Sequence, residues 1–297
     1  MARRRLDAEL VRRGLASDRA EAQLLVDEQR VLVSGSIAAN PARQVDAGEA
    51  LILREPPARF VGRGATKLDA ALDRFAIGVE GQRCLDAGAS TGGFTDALLQ
   101  RGASEVVAVD VGYGQLHERL RAHPAVRSHE RTNIRGVDVA SIGGPFPVVV
   151  VDLSFISLRR VARDLVGLTS PGGDLVALVK PQFEASHSES SKGNGVIRDP
   201  EIWLRVVDEV QGGFAALETD MMGLMASPIR GAEGNREFLL HGRRRPSASL
   251  ANAGGVGPSG RLLDTDFIRS VFDSPDDPVG PVDPDDTEPR NGEGGSR

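Results

Sequence analysis

The sequence predicts an α/β protein with a mostly parallel sheet, preceded by a small, separate α+β unit. Three observations carry this. Between residues 65 and about 245, short apolar runs alternate with amphipathic segments of helical period, the pattern of strands crossed over by helices. The first apolar run ends in a glycine-rich turn, "DAGASTGGF". The first 54 residues keep a different rhythm, two short helices followed by short strands.

That N-terminal unit, residues 1–54, opens with Leu6, Leu10 and Val11 at helical spacing, stopped by Gly14. Ser17 is the expected cap of a second helix, with Glu21 and the stripe Leu24/Leu25 behind it. "VLVSG" and "ALIL" read as strands. Residues 55–64 are rich in Pro, Gly and Arg and read as a linker. The strands of the large domain are "RCLDAG", "EVVAVDV", "PVVVVDLSF", "DLVALVKP", a stretch near "MMGLMASP", and "REFLLHGR", with a weaker signal at "AVRSHER". Continuous apolar runs of this kind imply a sheet covered by helices on both faces. Residues 246–297 are Gly-, Pro-, Ser- and Asp-rich and are expected to be a disordered acidic tail with one apolar patch, "FIRSVF".

Charge is unevenly placed. The net charge is −6, and from Ala251 onward ten acids stand against four arginines, so the preceding 250 residues are neutral overall with local basic clusters. The single cysteine, Cys84, excludes an intrachain disulfide, suits a reducing cytosol, and reads as a buried, inert thiol. The start "MARRRLDAEL" lacks the apolar run of a signal peptide, and "VVVV" is far too short to span a bilayer. The five histidines show no metal-binding spacing. A cytoplasmic monomer with no membrane or metal partner is the expectation.

The glycine-rich turn raises the choice of cofactor. Gly88, Gly92 and Gly93 let the backbone turn sharply beside a ligand, and Ser90 and Phe94 belong to the same turn and helix start. A dinucleotide site needs G-x-G-x-x-G, so that pyrophosphate meets backbone N–H groups. Here the spacing is G-x-x-x-G-G, and Asp86 stands where a pyrophosphate would be repelled. S-adenosylmethionine (SAM) has no phosphate and carries an ammonium that a carboxylate suits. Asp110, closing the next strand, is placed to accept hydrogen bonds from ribose hydroxyls. The turn therefore favours SAM over NAD.

Asp152 and Lys180 each end an apolar strand, so both should face the cleft at the carboxyl edge of the sheet. Glu237 begins the last strand. If that strand is antiparallel, as in many SAM enzymes, Glu237 reaches the same edge. Lys67 precedes an amphipathic helix and on pattern alone reads as an ordinary solvated lysine. A Lys–Asp–Lys–Glu cluster suits an alcohol acceptor: a ribose hydroxyl is a poor nucleophile and needs a base or a strong hydrogen-bond partner. The N-P-P-Y type loop of amino-group methyltransferases is absent, with "DLSF" in its place.

Together "DAGASTGGFT", "VVDLSFISL", "LVKPQFE" and "GNREFLL", after "RLDAELVRRGLASDRAEA", resemble the TlyA family over nearly all of residues 3–245. The resemblance implies an S4-type RNA-binding domain joined to an FtsJ-like, Rossmann-like SAM-dependent methyltransferase domain. It implies ribose 2′-O-methylation of cytidine in small- or large-subunit ribosomal RNA, with Lys67, Asp152, Lys180 and Glu237 as the catalytic tetrad and Lys180 activating the 2′-hydroxyl. Members also carry the name hemolysin, but no apolar span or strong basic amphipathic helix supports lysis. The other alternative is a ribosome-assembly factor that holds SAM without turnover. As an RNA module, the N-terminal unit would grip phosphates through Arg4, Arg5, Arg12, Arg13 and Arg19. Gly62 stands where a serine is usual, and "ASHSESSKGNGVIRDPE" is more serine-rich than the usual glycine-rich segment.

Overall fold

The computed structural model describes residues 3–54, 59–246 and 260–273. The chain divides into two compact units, Met1–Arg59 and Phe60–Arg297.

In the first unit, β1 (Arg4–Arg5) leads into α1 (Leu6–Arg12), followed by α2 (Arg19–Asp27) and the strands β2 (Val31–Val33), β3 (Ser36–Ile37), β4 (Gln44–Val45) and β5 (Leu51–Leu53). β1 pairs with β4, and β2 lies between β3 and β5, all antiparallel. Leu6, Leu10, Ala22, Leu25, Val26, Val31 and Val33 form the core of this unit. Two expectations are corrected. The cap of α2 is Asp18, whose side chain accepts the Glu21 N–H, while Ser17 donates to Glu21 instead. Leu24 is 56% exposed; helical phase buries Ala22, Leu25 and Val26.

The second unit runs α3 (Gly64–Arg74), β6 (Arg83–Ala87), α4 (Gly93–Gln100), β7 (Glu105–Val109), α5 (Glu118–Arg121), β8 (Val126–His129), β9 (Phe146–Val151), α6 (Leu158–Leu168) and β10 (Thr169–Val179). It continues through α7 (Pro181–Glu184), α8 (His187–Lys192), α9 (Pro200–Ala215), β11 (Thr219–Ala226), β12 (Phe238–Arg244) and α10 (Thr265–Asp273). The seven strands lie in the order β11-β12-β10-β9-β6-β7-β8, with β12 alone antiparallel to its neighbours. The last strand is thus antiparallel, the condition for Glu237 to start at the carboxyl edge.

The apolar runs are continuous because alternate residues feed two cores. Leu85, Val107, Val149, Val151, Leu175 and Val179 point to the face covered by α6, α9 and α10. Cys84, Val106, Val148, Val150, Val176 and Leu178 point to the face covered by α3 and α4.

Residues 260–273 overturn part of the disordered-tail expectation. Asp264 caps α10 by accepting the Phe267 N–H, and Ile268, Val271 and Phe272 are buried against the first of these cores. "FIRSVF" is one strongly amphipathic helical turn and a half whose apolar stripe finds a ready surface. The rest of the expected tail, 247–259 and 274–297, lies outside the described residues. Of the expected linker, 55–58 also lies outside them, while Phe60 packs on the α3–α4 core and the Val61 N–H donates to Asp96.

Candidate active site at the carboxyl edge of the sheet

The carboxyl ends of β6, β7, β9 and β10 and the start of antiparallel β12 meet at one edge of the sheet. Register fixes who stands beside whom. Val151 pairs with Ala177, and Val179 pairs with Phe238. Asp152, Lys180 and Glu237 therefore lie at three neighbouring strand ends.

Lys180 Nζ sits 2.6 Å from Asp152 Oδ1 and donates to Ser154 Oγ at 2.9 Å. Lys67 Nζ donates to Glu237 Oε2 at 2.7 Å, and both partners are buried. Lys67 is not the solvated lysine that pattern alone gave. It projects from the first turn of α3 on the same face as Gly64, whose added Cβ would lie 3.9 Å from Asp152 Oδ2. All four residues of the expected cluster come to this edge as two lysine–carboxylate pairs.

The glycine-rich turn follows β6. Gly88 has φ +90°, and a Cβ there would collide with the Asp152 carbonyl oxygen, so only glycine lets β6 and β9 approach here. Gly92, at φ +101°, would collide with Leu120 and Leu116; its task is packing beneath the turn. Gly93 begins α4 against Gly64 and Ala65, and Phe94 is a core side chain at 3% exposure whose edge reaches the cleft.

Two adjoining hollows open here. One, of about 390 Å³, is lined by Gly88, Ser90, Asp110, Asn133, Ile134 and Leu153, among others. The other, of about 200 Å³, is lined by Gly64, Gly88, Gly93, Phe94, Asp152 and Lys180. Gly88, Ser90, Asp152 and Ser154 border both. Asp110 accepts the Ser90 N–H at 2.8 Å and the Gly112 N–H at 2.7 Å, which fixes its carboxylate at the rim. A concave cleft with apolar walls and a few fixed polar groups suits a nucleoside-sized ligand.

Asp86 departs from its expected role as an open carboxylate. It is fully buried beneath the turn, and its Oδ2 accepts the Thr95 hydroxyl at 2.6 Å. Burial pushes its carboxyl up to about 7, with Asp152 and Asp110 adding to the rise and Thr95 opposing it. Its Oδ1 is buried without a hydrogen-bond partner, and Asp86 lines neither hollow.

Sequence reasoning missed several lining residues. Asn133 follows the weak strand β8, where only a polar residue after "AVRSHER" could have marked it. Ser154 and Phe155 lie in "DLSF" but carried no signal of their own. Phe155 is 91% exposed at φ +64°, and its ring stands 5.2 Å from Phe183 beside the Lys180 ammonium. Glu184 ties the two loops together. It accepts the Leu158 N–H at 2.6 Å and the Ser157 hydroxyl, and burial raises its carboxyl above the ordinary range.

The arginines of the first unit are not a loose solvated face. Arg5 and Arg19 pair with Asp7, at 2.7 and 3.3 Å, and Arg12 and Arg13 pair with Glu9, at 2.6 and 2.9 Å. Arg13 also donates to the Glu49 and Ala47 carbonyls. Arg4 is exposed, in β1.

This sheet order, its single antiparallel strand and the cleft at the switch point define a methyltransferase of the Rossmann-like class. A family model for FtsJ-like methyltransferases matches residues 60–244, and one for S4 domains matches residues 4–51. The chain belongs to the TlyA family. It is 48% identical over 256 residues, 86% of this chain and 95% of the other, to the 16S/23S rRNA (cytidine-2′-O)-methyltransferase TlyA of Mycobacterium tuberculosis. It is 35% identical over 239 residues, covering 80% of this chain and 98% of the other, to hemolysin A of Brachyspira hyodysenteriae. A solved structure described as a hemolysin, from Streptococcus thermophilus, is 35% identical and superposes with a TM-score of 0.65 over 92% of this chain and 96% of that one. Despite the hemolysin names, no helix among the described residues is long and apolar enough to cross a membrane.

Proposed function

We propose that this chain transfers a methyl group from SAM to the ribose 2′-hydroxyl of a cytidine in ribosomal RNA. The observation that carries the reading is the Lys180–Asp152 pair opening into a hollow that borders the glycine-rich turn. SAM supplies a methyl group on a positively charged sulfur, already a good leaving group, so the protein's work is positioning and handling one proton.

Gly88 and Ser90 form the floor of the cofactor cleft, Gly92 and Gly93 hold the turn in shape, and Phe94 packs it against α3. The fixed carboxylate of Asp110 would receive ribose hydroxyls, Asn133 and Ile134 would flank the base, and Asp86, buried under the turn, would underlie the methionine portion. As the 2′-oxygen takes the methyl group and the methyl–sulfur bond breaks, with S-adenosylhomocysteine leaving, Lys180 as the neutral amine accepts the 2′-hydroxyl proton. Asp152 and Ser154 hold Nζ in place, and Lys67 with Glu237 sets the second, drier pair behind it. Phe155 and Phe183 present aromatic faces beside Lys180, the kind of surface on which an unstacked base rests. Arg4, Arg5, Arg12 and Arg19 of the S4 domain grip phosphates, and the target nucleotide leaves its helix for chemistry.

The test is transfer of labelled methyl from SAM to intact ribosomal subunits, with mass mapping of the product nucleotide. Label on a 2′-O-methylcytidine, lost in Lys180→Ala while rRNA binding persists, is the expected result. Label on a base, or transfer undiminished in Lys180→Ala, sinks the proposal.

A further inference from the structure

The segment "GNREF" does more than deliver Glu237. Asn235 is wholly buried: its Nδ2 donates to the Gly195 carbonyl, and its Oδ1 accepts the Ile197 N–H. Arg236, itself 9% exposed, donates from Nη1 to the Phe272 carbonyl at 2.7 Å and lies over the Trp203 ring. Glu237 receives Lys67. Phe238 meets Phe272 at 5.0 Å and Trp203 at 5.8 Å between ring centroids. Side chains alternate along an extended segment. Arg236 and Phe238 accordingly turn to α10 and α9, and Glu237 turns the other way, to α3.

We infer that α10 and Arg236 form a strut that positions Glu237. The inference rests on the reading that Glu237 belongs to the catalytic cluster. The Phe272 carbonyl is in the last turn of α10, where helix carbonyls lack intrahelical partners and a cation is favoured. A buried guanidinium is retained only where acceptors receive it, so the contact ties both ends of the strut. Phe272 completes an aromatic cluster whose other members, Trp203 and Phe238, belong to α9 and to the first residue of β12. Loosening α10 frees Arg236 and Phe238, and Glu237 lies between them on the same stretch of backbone. Its carboxylate also fills the space where a Cβ on Gly231 would stand, so it has little room to shift without losing Lys67.

Arg236 and Phe272 are thus positioning residues. The full-length variants Arg236→Gln and Phe272→Ala are compared with Glu237→Gln at saturating SAM and ribosomal subunits, with folding followed by circular dichroism. Each of the first two lowers the single-turnover rate about tenfold, the scale expected of a small misplacement of a reacting group, and leaves the SAM dissociation constant within about twofold. Arg236→Lys, which keeps the cation, recovers part of the loss. On the Glu237→Gln background neither substitution lowers the rate further, because both act through the residue already removed. If Arg236→Gln does not fold, Phe272→Leu carries the same comparison. Full rates in the folded single variants, or losses that multiply on the Glu237→Gln background, overturn the strut. A Glu237→Gln enzyme at wild-type rate overturns instead the placing of Glu237 in the cluster.

Discussion

The two units bury carboxylates in opposite ways. In the S4 domain, Asp7 and Glu9 are 4% and 1% exposed, yet both are held down to about 2 by the arginines that bracket them, Arg5 foremost for Asp7 and Arg12 for Glu9. In the methyltransferase domain, Asp86 lies deeper, pairs with no arginine or lysine among the described residues, and is pushed up to about 7 by burial. Depth and the arginine partner together decide the direction: Asp7 and Glu9 lie close to the surface beside guanidinium groups, and Asp86 lies deep in the fold. The first arrangement keeps charge permanent and orients it outward, as a surface for a polyanion needs. The second leaves a group that changes charge near neutrality.

The sharpest way to break this contrast is at the Lys180–Asp152 pair on the carboxyl edge of the sheet. Lys180→Ala should lower methyl transfer by about 10²- to 10⁴-fold, the usual weight of a proton-handling group, with rRNA affinity unchanged in filter binding. A loss of affinity equal to the loss of rate would make Lys180 another phosphate grip, like the arginines, and the contrast would collapse.

Asp86 gives the next largest effect. Its native carboxyl binds a proton more tightly than the unfolded one. Between about pH 4 and 7 the folded state therefore holds a proton that the unfolded state lacks, and stability from this group falls as pH rises across that window, by about 4 kcal/mol. Asp86→Asn keeps the shape and an acceptor for Thr95 and removes the titration. Its melting temperature should lose this part of the pH dependence and lie above wild type at pH 8 without ligand. Parallel pH profiles for the two proteins would show that Asp86 is ionised throughout.

Much of this was legible in the sequence. The central strands of the large sheet announced themselves because a strand covered on both faces must be apolar at every position. Lys180, Asp152 and Glu237 were legible as polar residues bounding those runs. Lys67 was not, since a lysine at a helix start looks the same whether its partner is water or a carboxylate 170 positions away. Helix α10 was hidden for a related reason: its stripe is short, it sits in acidic, proline-rich sequence, and its packing surface is built by distant residues on α9 and β12. Asp86 was legible as a carboxylate but not as a buried one, because depth beneath a turn is a tertiary property.

The smallest effects separate the arginines of the S4 domain from one another. Arg4, Arg5, Arg12 and Arg19 have substantial exposed surface, whereas the Arg13 side chain is 22% exposed and is engaged by Glu9 and by backbone carbonyls of the 46–49 turn. Removing one arginine–phosphate pairing should reduce the slope of log affinity against log salt by about one unit or slightly less. Arg12→Gln and Arg19→Gln should each show that reduction for ribosomal RNA. Arg13→Gln should leave the slope where it is and lower the melting temperature, because its donors are spent on the fold. A slope change in Arg13→Gln equal to that in Arg12→Gln would mean that the Glu9 and carbonyl hydrogen bonds yield to phosphate, and that pairing orients these arginines without committing them.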